Sequence, residues 1–131
     1  MLLSVLLFSS YVHAQTDCSM YHKGYFMYTD SAGNTILIWR RNKYQYEYNR
    51  KIKVKTQYEV NWNNDCEYTL TQRITNSKSK KKNRNSVTAV LISKSDGENG
   101  YYYNCACTDG TQKTKGYFLK KITKKEFYEF Y

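Results

Sequence analysis

Residues 52–62 alternate without a break. Ile52, Val54, Tyr58, Val60 and Trp62 share one face, and Lys53, Lys55, Gln57, Glu59 and Asn61 share the other. A period of two marks a half-buried strand. Asn63-Asn64-Asp65 then supplies turn chemistry. The alternation resumes with Cys66, Tyr68 and Leu70 on the apolar face and Glu67, Thr69 and Thr71 on the polar one. Two such strands joined by a tight turn commit this part of the chain to antiparallel β structure.

The same rhythm runs through the rest. Turn signals fall at Ser31-Ala32-Gly33-Asn34, Asn49-Arg50-Lys51, Asn63-Asn64-Asp65, Asp96 to Gly100 and Asp109-Gly110. Strand-like runs lie between them at 24–29, 35–41, 44–48, 52–62, 66–74, 86–94, 100–108 and 115–122. The expected fold is all-β: a single antiparallel meander of about eight strands, forming a lipocalin-like or calycin-like barrel or half-barrel. Such a sheet removes or protects its edges by closing on itself. Thr123-Lys124-Lys125-Glu126 fits a capping box before Phe127, Tyr128 and Phe130, which predicts a final helical turn or two.

Residues 1–14 form a short apolar run ending in Val12-His13-Ala14, the pattern of a secretory signal peptide. The run is too short to cross a bilayer as a helix, and no later segment is long and apolar enough to do so. The expected product is one β domain, residues 15–131, secreted or periplasmic and monomeric.

The formal charge is +10, which favours anionic partners. Residues 76–85 contain no apolar side chain, and Lys78, Lys80, Lys81, Lys82 and Arg84 fall within them. That segment is expected to be an exposed, mobile loop and is the candidate contact for an anionic polymer. The composition, rich in Lys, Asn and Tyr and without Pro, equally fits a generic solvated basic surface.

The chain has 15 tyrosines. Tyr44, Tyr46 and Tyr48 lie on one strand face, and Tyr101 and Tyr103 on another. Large aromatic β-formers either fill a core or line a ligand cavity, and both readings stand at this level. Trp62 ends the apolar series from Ile52 and is expected in the core.

Little points to catalysis. His22 is the single histidine beyond the leader, and no nucleophile motif or phosphate-binding glycine pattern accompanies it. Cys105 and Cys107 fall on the same strand face as Tyr101 and Tyr103. Strand residues two apart are separated by roughly 6.6 Å, too far for a disulfide without bending the strand. They read as small apolar core residues, since a metal site built with His22 would lack a fourth ligand. No metal and no cofactor are expected, and the domain is expected to be non-enzymatic.

Several blocks together resemble a family of short secreted bacterial proteins with no established biochemical role. They are Cys18, Lys23-Gly24-Tyr25-Phe26, Arg40 or Arg41, Gln45-Tyr46-Glu47, Trp62-Asn63-Asn64-Asp65-Cys66-Glu67-Tyr68, Lys80-Lys81-Lys82, Val87 to Ile92 and Gly100-Tyr101. Some members carry the automated name DNA topoisomerase IV, an activity that requires a nucleophilic tyrosine in a large multidomain machine and is not carried over. The resemblance implies that Cys18 and Cys66 pair, and an oxidising destination would preserve the bond. Closing that loop would stabilise the domain by about 3–4 kcal/mol. Cys105 and Cys107 depart from the family pattern.

Three functions follow as expectations. The first is a module binding a small apolar or amphipathic ligand. The second is an interaction protein whose basic surface holds anionic polymer or the envelope surface. The third is a hydrolase with a site assembled from scattered residues.

Overall fold

A computed structural model describes residues 17–106 and 112–131, with backbone alone for 112–116. The expected leader and Cys107 lie outside the described residues. Eight strands follow in order: β1 Gly24–Thr29, β2 Thr35–Arg40, β3 Tyr44–Asn49, β4 Val54–Asn64, β5 Glu67–Thr75, β6 Val87–Ser95, β7 Gly100–Ala106 and β8 Gln112–Ile122. Each pairs antiparallel with the next, and β1 pairs with β8 through Tyr25↔Ile122, Phe26↔Lys121 and Met27↔Lys120. The meander is therefore a closed barrel and not a half-barrel, and closure leaves no exposed sheet edge. Among the described residues no helix is long and apolar enough to cross a membrane.

Register decides which side chains enter the barrel. Directly paired residues on neighbouring strands point to the same side. Arg40 pairs with Gln45, Ile38 with Glu47 and Ile36 with Asn49. Ile36, Ile38 and Arg40 are buried, so Gln45, Glu47 and Asn49 follow them inward. Tyr44, Tyr46 and Tyr48 must then face outward, and Tyr44 is 42% exposed. Alternation alone sorts a strand into two faces, and hydrophobicity chose the wrong one for β3. Ile52 is corrected too: it lies in the turn before β4 and is 59% exposed. The register shift that pairs Gln57 with Ile74 but Tyr58 with Gln72 inserts an extra residue into β5, and Ile74 consequently points outward.

One end of the barrel is plugged. Cys18 bonds to Cys66 across 48 residues of chain, with 5.1 Å between their Cα atoms. This anchors the 3₁₀ turn Ser19–Tyr21 over the barrel. Tyr21 is fully buried, and its hydroxyl lies 2.8 Å from the Gly97 carbonyl, 2.9 Å from that of Gly100 and 2.6 Å from Ser95 Oγ. The single phenolic proton serves one carbonyl at a time, which leaves the oxygen to accept from Ser95. Gly100 is required here. Its φ of +133° disfavours a side chain, and a Cβ would collide with the Leu119 carbonyl.

Helix α1, Lys124–Phe130, starts on the capping box expected from Thr123 and Glu126. It lies outside the barrel. Phe127 packs with Leu37 and Ile122, against Tyr25, Met27 and Trp39 on the outer face. The β5–β6 connection, expected as an exposed loop, contains a short ordered turn. Lys80–Asn83 form a 3₁₀ turn tied down by Gln72 Nε2, which donates to the Lys80 carbonyl at 2.6 Å.

Two outcomes follow. In the oxidised protein, Cys18 and Cys66 should resist thiol labelling until reduced. The Cys18→Ala, Cys66→Ala double variant should lose about 3–4 kcal/mol of stability in a urea titration.

Candidate functional site

The barrel interior has two zones. The first surrounds Arg40, which is 1% exposed. Its Nε donates to Gln45 Oε1 at 2.8 Å and Nη1 to the Tyr21 carbonyl at 2.8 Å. Nη2 donates to the Tyr68 and Tyr101 hydroxyls, each at 3.1 Å, and those hydroxyls are 2.8 Å apart. The guanidinium carbon lies 4.8 Å from the centre of the Phe26 ring and 4.7 Å from that of Tyr68. Neutral acceptors and aromatic faces thus replace water around a buried cation. Burial pushes the Tyr68 phenol well above its ordinary range. With Ile38, Val60, Val90, Ile92 and Leu119 packed around it, this zone is a solid core. Tyr101, offered above as cavity-lining, belongs to it and is 0% exposed.

Trp62 faces the same zone but is half-buried. It stacks on His22 with ring centres 3.6 Å apart and tilts against Tyr68 at 4.5 Å. His22 Nε2 lies 2.9 Å from the Asp65 carbonyl. The histidine is thereby held over the plug as a packing residue. Cys105 is half-buried against the core.

The second zone is the opposite end, beside the β1–β2 and β3–β4 turns. A recess of about 180 Å³ is lined by Tyr28, Glu47, Asn34, Asn49, Asp30 and Lys80, among others. Glu47 keeps some surface toward it and is otherwise enclosed by the barrel wall. Burial raises the Glu47 carboxyl above the ordinary glutamate range, against the opposing pull of Lys80, Gln45 and Arg40. The Glu47 charge, and after it the phenol's own burial, holds Tyr28 far above the phenol range, while for Tyr58 burial comes first and the Glu47 charge second. Burial does the same for Tyr103. Tyr103 is half-buried against the core and within electrostatic reach of Glu47, but it is not among the residues that line the recess.

A larger concave surface than this recess lies outside the barrel. A groove of about 470 Å³ runs between α1 and the outer faces of β2 to β5. Trp39, Tyr46 and Tyr48 form its floor, and Phe127, Tyr128 and Tyr131 form the helix side. Tyr48 and Tyr131 meet with ring centres 4.9 Å apart, and Trp39 and Tyr46 at 5.6 Å. Lys55 Nζ donates to the Tyr131 hydroxyl at 2.9 Å and lies 5.2 Å from the Tyr48 ring centre. That hydrogen bond holds the exposed ammonium above its ordinary range. So Tyr46 and Tyr48 do line a cavity wall, but on the outside. Tyr44 is not part of it.

The basic segment leaves Lys78, Lys81, Lys82 and Arg84 exposed, while Lys80 is half-buried and turned toward Glu47. Lys81 and Arg84 join Arg73 of β5 around a shallow cleft of about 360 Å³. Arg73 is also paired to Glu59 at 2.8 Å. Among the described residues no group of three or more His, Cys, Asp or Glu side chains could hold a metal ion.

Glu47, Asn34, Asn49 and Arg40 were not singled out as functional from the sequence, because polar residues on a strand read as solvent-facing and Asn34 and Asn49 read as turn residues. The groove was missed because a helix after β8 carries no address for the strands it covers. Fold and sites together define a closed eight-stranded antiparallel barrel with a plugged end, a polar recess and an aromatic outer groove. No family model, no curated protein and no solved structure matches the chain.

The Glu47 carboxyl supplies a pH test. A value raised on folding means that the native state holds the proton more tightly than the unfolded chain. Stability from this group is complete at acid pH and is lost as pH rises from the ordinary glutamate value through the raised one. Urea titrations at stepped pH should show Glu47→Gln gaining on the parent protein across that window. A gap that widens in the parent's favour instead would mean that Glu47 is stabilised as an anion.

Proposed function

We propose that this protein is an exported, non-enzymatic binding module that takes a small amphipathic ligand in the groove between α1 and the barrel. The observation that carries this reading is the groove itself: six aromatic side chains around about 470 Å³, with one ammonium, Lys55, at the rim. Pockets for small molecules are concave, mostly apolar and carry few polar groups. A flat apolar body would stack on Tyr48 and Tyr131, and an anionic head would meet Lys55. The Cys18–Cys66 bond is the kind that persists outside the reducing cytosol. It supports the reading of residues 1–14 as an export signal and of the destination as secreted or periplasmic. The resemblance to short secreted bacterial proteins agrees with this.

The probe of choice is 1-anilinonaphthalene-8-sulfonate, which has aromatic rings for the floor and a sulfonate for Lys55. Saturable enhancement of its emission on the folded protein is expected. Tyr48→Ala should weaken binding at least tenfold, and Lys55→Gln several-fold with a loss of salt dependence. Binding that is unchanged in both variants would remove the groove from the account.

A second reading rests on the exposed cations. Lys81 and Arg84 extend the Arg73 cleft, and Lys78 and Lys82 stand beside it. An anionic polymer would bind there through counterion release. Replacing Lys78, Lys81, Lys82 and Arg84 by Gln should leave the melting temperature nearly unchanged, because their side chains are exposed. The same change should reduce heparin retention and flatten its salt dependence. Identical retention before and after would leave the cations as a solvated surface.

A further inference from the structure

The recess inside the barrel has a chemistry unlike that of the outer groove: it is rich in acceptors. Asn49 is 7% exposed, and its Oδ1 is fully buried without a hydrogen-bond partner among the described residues. Asn34 Oδ1 is in the same condition. Its amide is oriented by Nδ2, which donates to Asp30 Oδ2 at 3.2 Å. Glu47 Oε1 accepts from Gln45 Nε2 at 3.1 Å, and Oε2 receives no hydrogen bond among the described residues. All three side chains line the recess. A buried acceptor left unpaired is costly, so two that line one recess call for a donor.

We propose that this recess binds a small primary ammonium compound, with Glu47 as its counter-ion and the side-chain oxygens of Asn34 and Asn49 as its other acceptors. A primary ammonium carries three N–H donors and no acceptor, the complement of this set. The formal charges around the recess are Asp30 and Glu47 against Lys80, one negative charge in excess. That excess suits a monocation and penalises an anion. Asp30 stays ionised, because hydrogen bonds led by the Asn34 backbone amide hold its carboxyl below the ordinary range. At about 30 Å³ per water, the 180 Å³ recess accepts a compound of roughly six heavy atoms or fewer.

The groups facing Glu47 set the pH behaviour. Arg40 acts through Gln45, Lys80 reaches it from the β5–β6 connection, and Tyr28, Tyr58 and Tyr103 face it as neutral phenols. Protons and ammonium compete for the carboxylate, so affinity should rise with pH as Glu47 ionises. Lys80 competes as a tethered cation, so Lys80→Gln should tighten binding.

The test is an NMR titration of the oxidised protein that follows the side-chain amides of Asn34 and Asn49. The probes are n-propylammonium, tetramethylammonium and 1-propanol. Saturable shifts are expected with propylammonium alone. Glu47→Gln should weaken its binding at least tenfold. Asn49→Ala, which keeps the carboxylate, should weaken it at least threefold. The proposal is overturned if propanol or tetramethylammonium binds as well, if either variant keeps the parent affinity, or if none of the probes gives a saturable shift. The outer groove is read by a different probe, so failure here leaves that proposal standing.

Discussion

A single buried cation organises the plugged half of this barrel. Moving a guanidinium from water into a protein interior costs several kcal/mol even after relaxation. Among the described residues no carboxylate hydrogen-bonds to Arg40. The charge is instead spread over Gln45, the Tyr21 carbonyl and the Tyr68 and Tyr101 hydroxyls, between the Phe26 and Tyr68 rings. These partners come from the N-terminal turn, β1, β3, β5 and β7. Satisfying one side chain therefore locks together elements from distant parts of the chain. The Cys18–Cys66 bond reinforces the same place by tethering the turn that supplies the Tyr21 carbonyl.

The polar series Arg40–Gln45–Glu47 leads from that solid half into the recess. Gln45 accepts from Arg40 and donates to Glu47, so the cation and the raised carboxyl sit in one hydrogen-bonded line. An eight-stranded barrel is narrow enough for its own side chains to fill, and large aromatic ones do so at the plugged end. At the other end, smaller polar residues, Asn49 and Thr56, leave volume unfilled. Among the described residues the interior is thus a packed core at one end and a small recess at the other. The larger apolar surface is displaced outside, where α1 is short enough that Phe127 buries only the Leu37–Ile122 side of the aromatic floor. Tyr46 and Ile74 are left exposed.

Much of the architecture was legible in the residues. The eight strand-like runs coincide with the eight strands to within a few residues, because turn chemistry and period-two alternation are local properties. The capping box at Thr123 and Glu126 was legible for the same reason. The sites were less so. Cys18 and Cys66 were indicated by resemblance, since spacing alone names no partner. Tyr46 and Tyr48 line a ligand-sized space, but on the face opposite to the one their hydrophobicity suggested. Glu47 and Asn49 looked like surface residues until register turned them inward.

Local residue patterns specify the class of fold, the strand count and the places where strands stop. Each is encoded within a few neighbouring residues. Which face of each strand lies inside is settled only when the barrel assembles. That choice is cooperative: once Arg40 is buried, its pairing with Gln45 turns every second residue of β3 inward, whatever its polarity. The same choice carries Tyr46 and Tyr48 out to meet α1. Recess and groove are therefore two consequences of one register, and no local pattern could specify it.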